Sequence, residues 1–233
     1  MAKPVSIAIV GVGPGDPELL TLKAARALEQ ADVILHAGPR DDAGFAIEVV
    51  APLLHPRHEI RGMGLAMRRG PDDGSVGYDR VAQALVDHAR EGKNAAFLTE
   101  GDPMLFGSGS YVAEHLGRLA PEFAVTLIPG INAVSAAACR VGWPLAQKDE
   151  ILTICPATYH ADEVARILDQ GGPVCWLKVV GALPGIVQEL RIRNRLDRAV
   201  LIEKVGRPDE RIFHDLTEAL GQKLSYFSLV LVR

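Results

Sequence analysis

The sequence predicts an α/β protein of two domains, with a mostly parallel N-terminal sheet and a mixed C-terminal sheet. Three observations carry that expectation. Val5–Val10 is a short apolar run rich in β-branched residues, and it breaks into the loop Gly11-Val12-Gly13-Pro14-Gly15-Asp16-Pro17 before a helical pattern begins. The same strand, Gly/Pro break and helix recur at Asn94–Thr99, Glu100-Gly101-Asp102-Pro103 and Phe106–Leu119. After Pro144 five strand-like runs have only two convincing helices between them, which suits a mixed sheet. The expected domains are residues 1–130 and 131–233, with the boundary near 128–132.

The first half reads in order as strand, helix and strand. Thr21 is placed to cap a helix over about 18–31 with Leu22, Ala25, Leu28 and Ala31 on its apolar face. Asp32–Leu35 is a second strand, followed by the polar loop 36–44. Phe45–Leu54 carries helical spacing and is stopped by Pro56. Glu59-Ile60 is a short strand, and 62–77 is a glycine-rich loop holding two methionines. Tyr78–Glu91 is amphipathic, with Val81, Leu85 and Ala89 on one face. Phe123–Ile128 is the fifth strand, Pro129-Gly130 breaks it, and Asn132 is placed to cap the small-residue helix Ala133–Val141.

In the second half the expected strands are 151–155, 174–179, 199–203, 211–213 and 227–232, with helices at 161–169 and 182–194. The last two strands are spaced as an antiparallel pair.

Composition narrows the function. The chain has 233 residues, 48% of them hydrophobic and 23% charged, with a net charge of −4. That is a core-forming protein with little electrostatic support for nucleic-acid binding. The densest basic cluster, Arg191, Arg193, Arg195 and Arg198, is expected on a solvated helix end. The first strand follows the N-terminus without a leader, and no apolar run approaches a membrane span, so a cytoplasmic protein with no membrane partner is expected. Cys139, Cys155 and Cys175 are far apart and flanked by apolar residues, and are expected as buried, reduced thiols. With no Cys-x-x-Cys or His-Glu-x-x-His spacing, no metal site is expected.

Acid–base equipment is thin. His55 and His58, flanking Pro56, are expected in solvent, while His36 ends the second strand on the same edge as the glycine loop. Gly107-Ser108-Gly109-Ser110 has the look of a nucleophile loop without a base nearby, so a binding role is favoured. The first loop is a poor dinucleotide fingerprint: Asp16 stands where the third glycine belongs, and Pro14 has no amide to offer a phosphate. No Gly-Lys-Ser/Thr follows, which excludes a P-loop. A cleft lined by glycines, prolines and backbone suits a reaction whose reactive group comes from a cofactor. Read from pattern alone, the chain is an α/β cofactor or nucleotide binder.

Three stretches, Val10-GVGPGDPELLTLKA, Glu100-Gly101-Asp102-Pro103 and Ile128-Pro129-Gly130-Ile131-Asn132-Ala133, resemble in order and spacing those of the tetrapyrrole methylases. Gly142-Trp143-Pro144-Leu145-Ala146, Asp149–Thr153, Pro156-Ala157-Thr158 and Tyr226–Arg233 are similar to the precorrin-2 C-20 methyltransferase branch. The resemblance implies the two-domain tetrapyrrole methylase fold, a homodimer, and S-adenosylmethionine in the cleft between the domains. It implies C-methylation of precorrin-2, or its cobalt form, at C-20 in cobalamin synthesis. The alternatives are methylation at C-11 or at C-2 and C-7, or a regulatory relative without turnover.

By the same resemblance Pro14, Glu100, Gly101, Asp102, Leu105, Asn132, Ala133 and Leu177 are expected at the methyl donor, with Val205 a looser match. Relatives of the C-20 branch carry a Tyr-Pro pair where this chain has His36-Ala37-Gly38, a segment closer to the C-11 methylases. Leu65-Ala66-Met67-Arg68 replaces a longer Pro-Met-Thr element. His36, Arg40, Met67 and Arg68 are the expected tetrapyrrole-facing residues, with Arg61 and Arg69 as further cationic candidates for its carboxylates.

Overall fold

The computed structural model describes residues 5–65, 75–157 and 163–233. The chain divides into two compact units, Met1–Asn132 and Ala133–Arg233.

The first unit is built on strands β1 (Ile7–Gly11), β2 (Val33–His36), β3 (Glu59–Gly62), β4 (Ala95–Thr99) and β5 (Val125–Ile128). They form one sheet in the order β3-β2-β4-β1-β5, with every pairing parallel. Its helices are α1 (Leu22–Gln30), α2 (Phe45–Val49), α3 (Ser75–Arg90) and α4 (Ser108–Leu119). Both faces of the sheet are covered, as a parallel sheet requires. Val10, Ile34, Ala96 and Leu98 pack with Ala24 and Leu28 of α1 and with α2. The alternate residues Ile9, Val33, Leu35 and Phe97 pack with Val81 and Leu85 of α3 and with Val112 and Leu116 of α4.

The first helix is shorter than its pattern. Asp16 accepts from the Glu18 amide and caps a separate 3-10 turn, Pro17–Leu19. Thr21 then caps α1 through the Ala24 amide at 3.1 Å. Leu22 is thereby the first residue of α1, and it is 76% exposed; Ala24 and Leu28 carry the buried face. The 45–54 segment is likewise split: α2 stops at Val49 and a 3-10 turn, Ala51–Leu53, continues it. In α3 the expected face Val81, Leu85 and Ala89 is buried.

The second unit has β6 (Thr153–Pro156), β7 (Val174–Leu177), β8 (Ala199–Glu203), β9 (Arg211–Phe213) and β10 (Ser228–Val232), ordered β6-β7-β10-β8-β9. Only β6–β7 is parallel, so this sheet is mixed. The expected β9–β10 pair does not form: β10 inserts between β7 and β8, and β9 pairs with the far side of β8. α6 (Val164–Asp169) and α7 (Leu183–Ile192) cover one face around Trp176, Leu201 and Val230. α5 (Ala133–Val141) covers the other, where Ala137 and Ala138 let its backbone close on Cys175, Val200 and Leu231. Arg193 is only half-exposed: it pairs with Asp169 of α6 at 2.9 Å and Glu189 of α7 at 2.5 Å, rather than standing in solvent.

Of the three thiols, Cys175 is buried, Cys155 partly so, and Cys139 exposed, contrary to expectation for the last. Burial pushes Cys155 up to about 11 and Cys175 upward as well, which leaves both in the unreactive thiol form. Among the described residues no helix is long and apolar enough to cross a membrane, and no cluster of His, Cys, Asp or Glu could hold a metal ion.

Candidate active site

Strand order alone marks a position for a ligand. β1 connects through α1 to β2 on one side, and β4 connects through α4 to β5 on the other. β1 and β4 are neighbours, and their outgoing helices lie on opposite faces. The carboxyl ends of such a pair form the switch point at which open α/β sheets bind their ligands. The two Gly/Pro loops of the sequence both leave from this point.

Those loops are stitched together. The Val12 amide donates to the Thr99 carbonyl at 3.0 Å, Gly13 donates to Gly101 at 3.3 Å, and Gly101 donates back to Gly13 at 2.8 Å. Gly13 and Gly101 have φ of 80° and 63°, which favour glycine. The Pro129-Gly130 turn after β5 joins them. A Cβ on Gly11 would lie 2.6 Å from the Gly130 nitrogen, and one on Gly130 would lie 2.1 Å from the Gly101 carbonyl oxygen. The glycines therefore serve backbone-to-backbone packing of three strand ends. Asp102 locks the same junction, because its carboxylate accepts from the Met104 amide at 2.8 Å and the Gly130 amide at 3.1 Å.

This geometry offers a phosphate little at these positions. The amides of Val12 and Gly13 are taken up by the chain, and Pro14, buried, has none. A pyrophosphate would find no amide cradle at these positions. Carboxylates also stand at this edge: Glu100 and Asp102 are half-buried and Asp16 lies in the β1 loop, with Asp102 and Asp16 already accepting backbone amides. Such acceptors suit hydroxyls and a cationic centre rather than a phosphate.

The sequence-derived residues fall into separate groups. Pro14, Glu100, Gly101, Asp102 and Leu105 are brought together in the β1 and β4 loops, and Asn132 ends the β5 loop. Ala133 opens α5 and Leu177 ends β7, where its carbonyl accepts from the Ala157 amide at 2.8 Å; both are half-buried in the second unit. Val205, two residues beyond β8, is buried. Met67, Arg68 and Arg69 lie outside the described residues.

His36 is fully buried. Its Nδ1 accepts from the Gly38 amide at 3.1 Å, and its Nε2 donates to the Asp41 carbonyl at 3.0 Å, which fixes the neutral tautomer. Burial lowers its pKa, against the opposing pull of the Asp41 carbonyl and carboxylate. Both ring nitrogens are thus used to fold the 36–44 loop. Asp41 extends that order by accepting from the Gly62 amide at 2.8 Å. Arg40 projects from this loop, strongly exposed, with Asp42 at 3.4 Å. Arg61 is paired with Glu59 at 2.9 Å. His58 departs from expectation: it is 7% exposed, accepting from the His55 amide at 3.1 Å, while His55 stays exposed. Ser108 is buried with its hydroxyl 3.4 Å from that of Thr99, so the Gly-Ser-Gly-Ser segment packs the start of α4.

Sequence reasoning missed Phe106. It takes the left-handed conformation, φ 53°, while 43% exposed, and no residue pattern announces such a backbone. It also assigned Asp102 to the donor without seeing that its oxygens organise the turn.

The chain is 38% identical to a precorrin-2 C(20)-methyltransferase of Sinorhizobium sp, across 96% of this chain and 93% of that one. It is 29% identical to the cobalt-precorrin-2 C(20)-methyltransferase of Salmonella typhimurium, across 96% and 94%. The solved uroporphyrin-III C-methyl transferase of Thermus thermophilus, complexed with S-adenyl homocysteine, matches with a TM-score of 0.67 and 25% identity, over 98% of this chain and 97% of that one. The family model of tetrapyrrole (corrin/porphyrin) methylases matches residues 6–221, and the chain belongs to that family of methyltransferases.

Proposed function

We propose that this protein transfers a methyl group from S-adenosylmethionine to C-20 of precorrin-2, or of its cobalt form, in cobalamin biosynthesis. The observation that carries the reading is the near full-length match to a precorrin-2 C(20)-methyltransferase. The switch-point edge supports it, because its acceptors fit a ligand with ribose hydroxyls and a sulfonium and do not fit a pyrophosphate.

When bound, the donor would supply an electrophilic methyl group, the C–C bond forming as the C–S bond breaks with its electron pair going to sulfur, and the displaced C-20 proton would pass to solvent. The chain's work in this reading is orientation. Pro14 gives a rigid wall, Gly101 and Leu105 present backbone and apolar surface, and Asn132 and Ala133 continue the lining. Asp102 holds the Gly130 turn in place. Leu177 is the corresponding apolar position in the second unit. Glu100 gives a carboxylate to a hydroxyl or to the positive sulfur. A meso carbon made electron-rich by conjugated nitrogens is already nucleophilic, so no strong base is assigned. Arg40 is a described cation suited to the substrate's carboxylates; Met67 and Arg68, outside the described residues, are assigned to the tetrapyrrole by resemblance alone. His36 acts indirectly, by shaping the loop that carries Arg40. The working form is a cytoplasmic homodimer without a protein-bound metal.

Incubation with precorrin-2 and donor carrying a carbon-13 methyl, read by carbon NMR, tests the reading. A labelled methyl at C-20 is expected. Label at C-11, or at C-2 and C-7, moves the enzyme to another branch of the family. Donor binding without transfer to any tetrapyrrole makes it a binding relative.

A further inference from the structure

We propose that a cavity running along α1, over β1, β4 and β5 of the first unit, binds a small organic anion at a place separate from the candidate active site.

The argument starts from what lines it. The cavity has a volume of about 230 Å³. Its inner walls are small: Ala8 and Ala96 on the sheet and Ala27 on α1 leave space that larger side chains would fill. Thr126 stands opposite Ala8 in the β1–β5 register and so shares its side of the sheet. None of the lining residues belongs to the loops that carry Pro14, Gly101 and Leu105.

Charge at the cavity has one sign. Lys23 and Arg26 of α1 line it, and among the described residues no carboxylate does. Neither cation has a side-chain partner among the described residues. Glu29, three residues beyond Arg26, is its ordinary helical partner, yet the two are not paired. Ser6 donates its amide and its hydroxyl to Asn94 Oδ1 at 3.1 and 3.0 Å, which fixes the Asn94 side chain and leaves its Nδ2 hydrogens to donate. Both Ser6 and Asn94 line the cavity. A cleft lined by one sign of charge raises the local concentration of the opposite sign, even in a chain whose net charge is −4.

Size limits the ligand. The volume has room for roughly ten non-hydrogen atoms, so a nucleotide or a tetrapyrrole is too large. The molecule that fits has a phosphate or carboxylate head at Lys23 and Arg26 and a compact apolar body on the alanines. Both cations are exposed, so the site is open to solvent and the affinity is expected near about 1 mM.

The test uses three probes of similar size: benzoate, phenyl phosphate, and benzamide, which has the shape of benzoate without its charge. Calorimetry at low ionic strength measures their binding to wild type and to Lys23→Gln/Arg26→Gln. A control, Lys148→Gln/Lys223→Gln, loses the same number of charges in the second unit. Urea midpoints check that each variant folds. The better of the two anions is expected to bind wild type with a Kd of about 1 mM or below, about ten-fold or more tighter than benzamide. Lys23→Gln/Arg26→Gln should weaken it about ten-fold or more, and the control should stay within about two-fold. Whichever anion binds better identifies the head that the site takes. Binding of neither anion overturns the proposal, as does benzamide binding as tightly as both. Equal losses in the two double variants also overturn it, because they would mark a general attraction to charge. The experiment reads binding alone and therefore stands apart from the methyl-transfer reading.

Discussion

Gly13 and Gly101 donate to each other's carbonyls at 3.3 and 2.8 Å, a single antiparallel bridge between loops that leave neighbouring parallel strands. The bridge turns two chain breaks into one stiff edge. Gly130 packs against it closely enough that any side chain there meets backbone.

Gly130→Ala is therefore expected to destabilise the protein by about 2 kcal/mol, the usual scale of overpacking. The colliding atom is the Gly101 carbonyl oxygen, which cannot rotate away as a side chain would. Urea unfolding measures the loss. Affinity for S-adenosylhomocysteine should fall with it, and a variant as stable as wild type would refute the packing argument.

Asp102→Ala removes acceptors from the Met104 and Gly130 amides together. Hydrogen bonds to a charged group contribute about 1.5–3 kcal/mol each when well shielded, and this half-buried site should lose about 1–2 kcal/mol in total. Asp102→Asn keeps one acceptor oxygen and should fall between wild type and Asp102→Ala. Urea midpoints for the three proteins check the order; equal midpoints would show that the carboxylate does not hold the turn.

The buried neutral His36 makes stability depend on pH. Its pKa is lowered in the folded protein from the ordinary 6.5, chiefly by burial. The unfolded chain thus binds a proton that the folded chain resists, so stability is full above about pH 6.5 and falls as pH drops below it. His58 is lowered as well, by burial and the neighbouring Arg57 and His55, and adds to the same slope. His36→Gln should flatten, without abolishing, the fall of the urea midpoint between about pH 7.5 and 5.5. A slope equal to wild type would contradict a buried, neutral His36.

Glu203 does the corresponding work in the second unit. It is 3% exposed, accepting from Arg211 Nε at 2.5 Å and from the Ser225 amide. Burial alone would raise its pKa, but these partners together hold it below the ordinary 4.5. Its contribution is present above about pH 4.5 and is lost as acid protonates the folded carboxylate. Glu203→Gln should cost about 2 kcal/mol at neutral pH, less than a fully buried pair because Arg211 is partly exposed, and should lose less stability than wild type on acidification. Thermal or urea unfolding at two pH values separates these effects.

Local chemistry made much of the molecule legible. Apolar runs ending in Gly/Pro breaks located β1, which is rich in β-branched residues, and β4, Thr21 marked the start of α1, and the spacing of Val81, Leu85 and Ala89 gave the buried face of α3. Nonlocal relationships were hidden. Nothing between 199 and 232 states that β10 inserts between β7 and β8, because pairing is decided by the whole second sheet. His58 looks like a surface residue beside Pro56 until the turn folds inward. The glycines announced close approach, but not that the approaching group is the chain's own backbone. Phe106 was invisible because strain belongs to φ, and composition does not record φ.

The most direct test of the central claim is a crystal structure of the protein with S-adenosylhomocysteine. The account predicts the ligand at the carboxyl ends of β1 and β4, touching the loops that carry Pro14, Gly101 and Leu105. Ligand bound elsewhere, or that edge filled by protein side chains while calorimetry detects no binding, would contradict it.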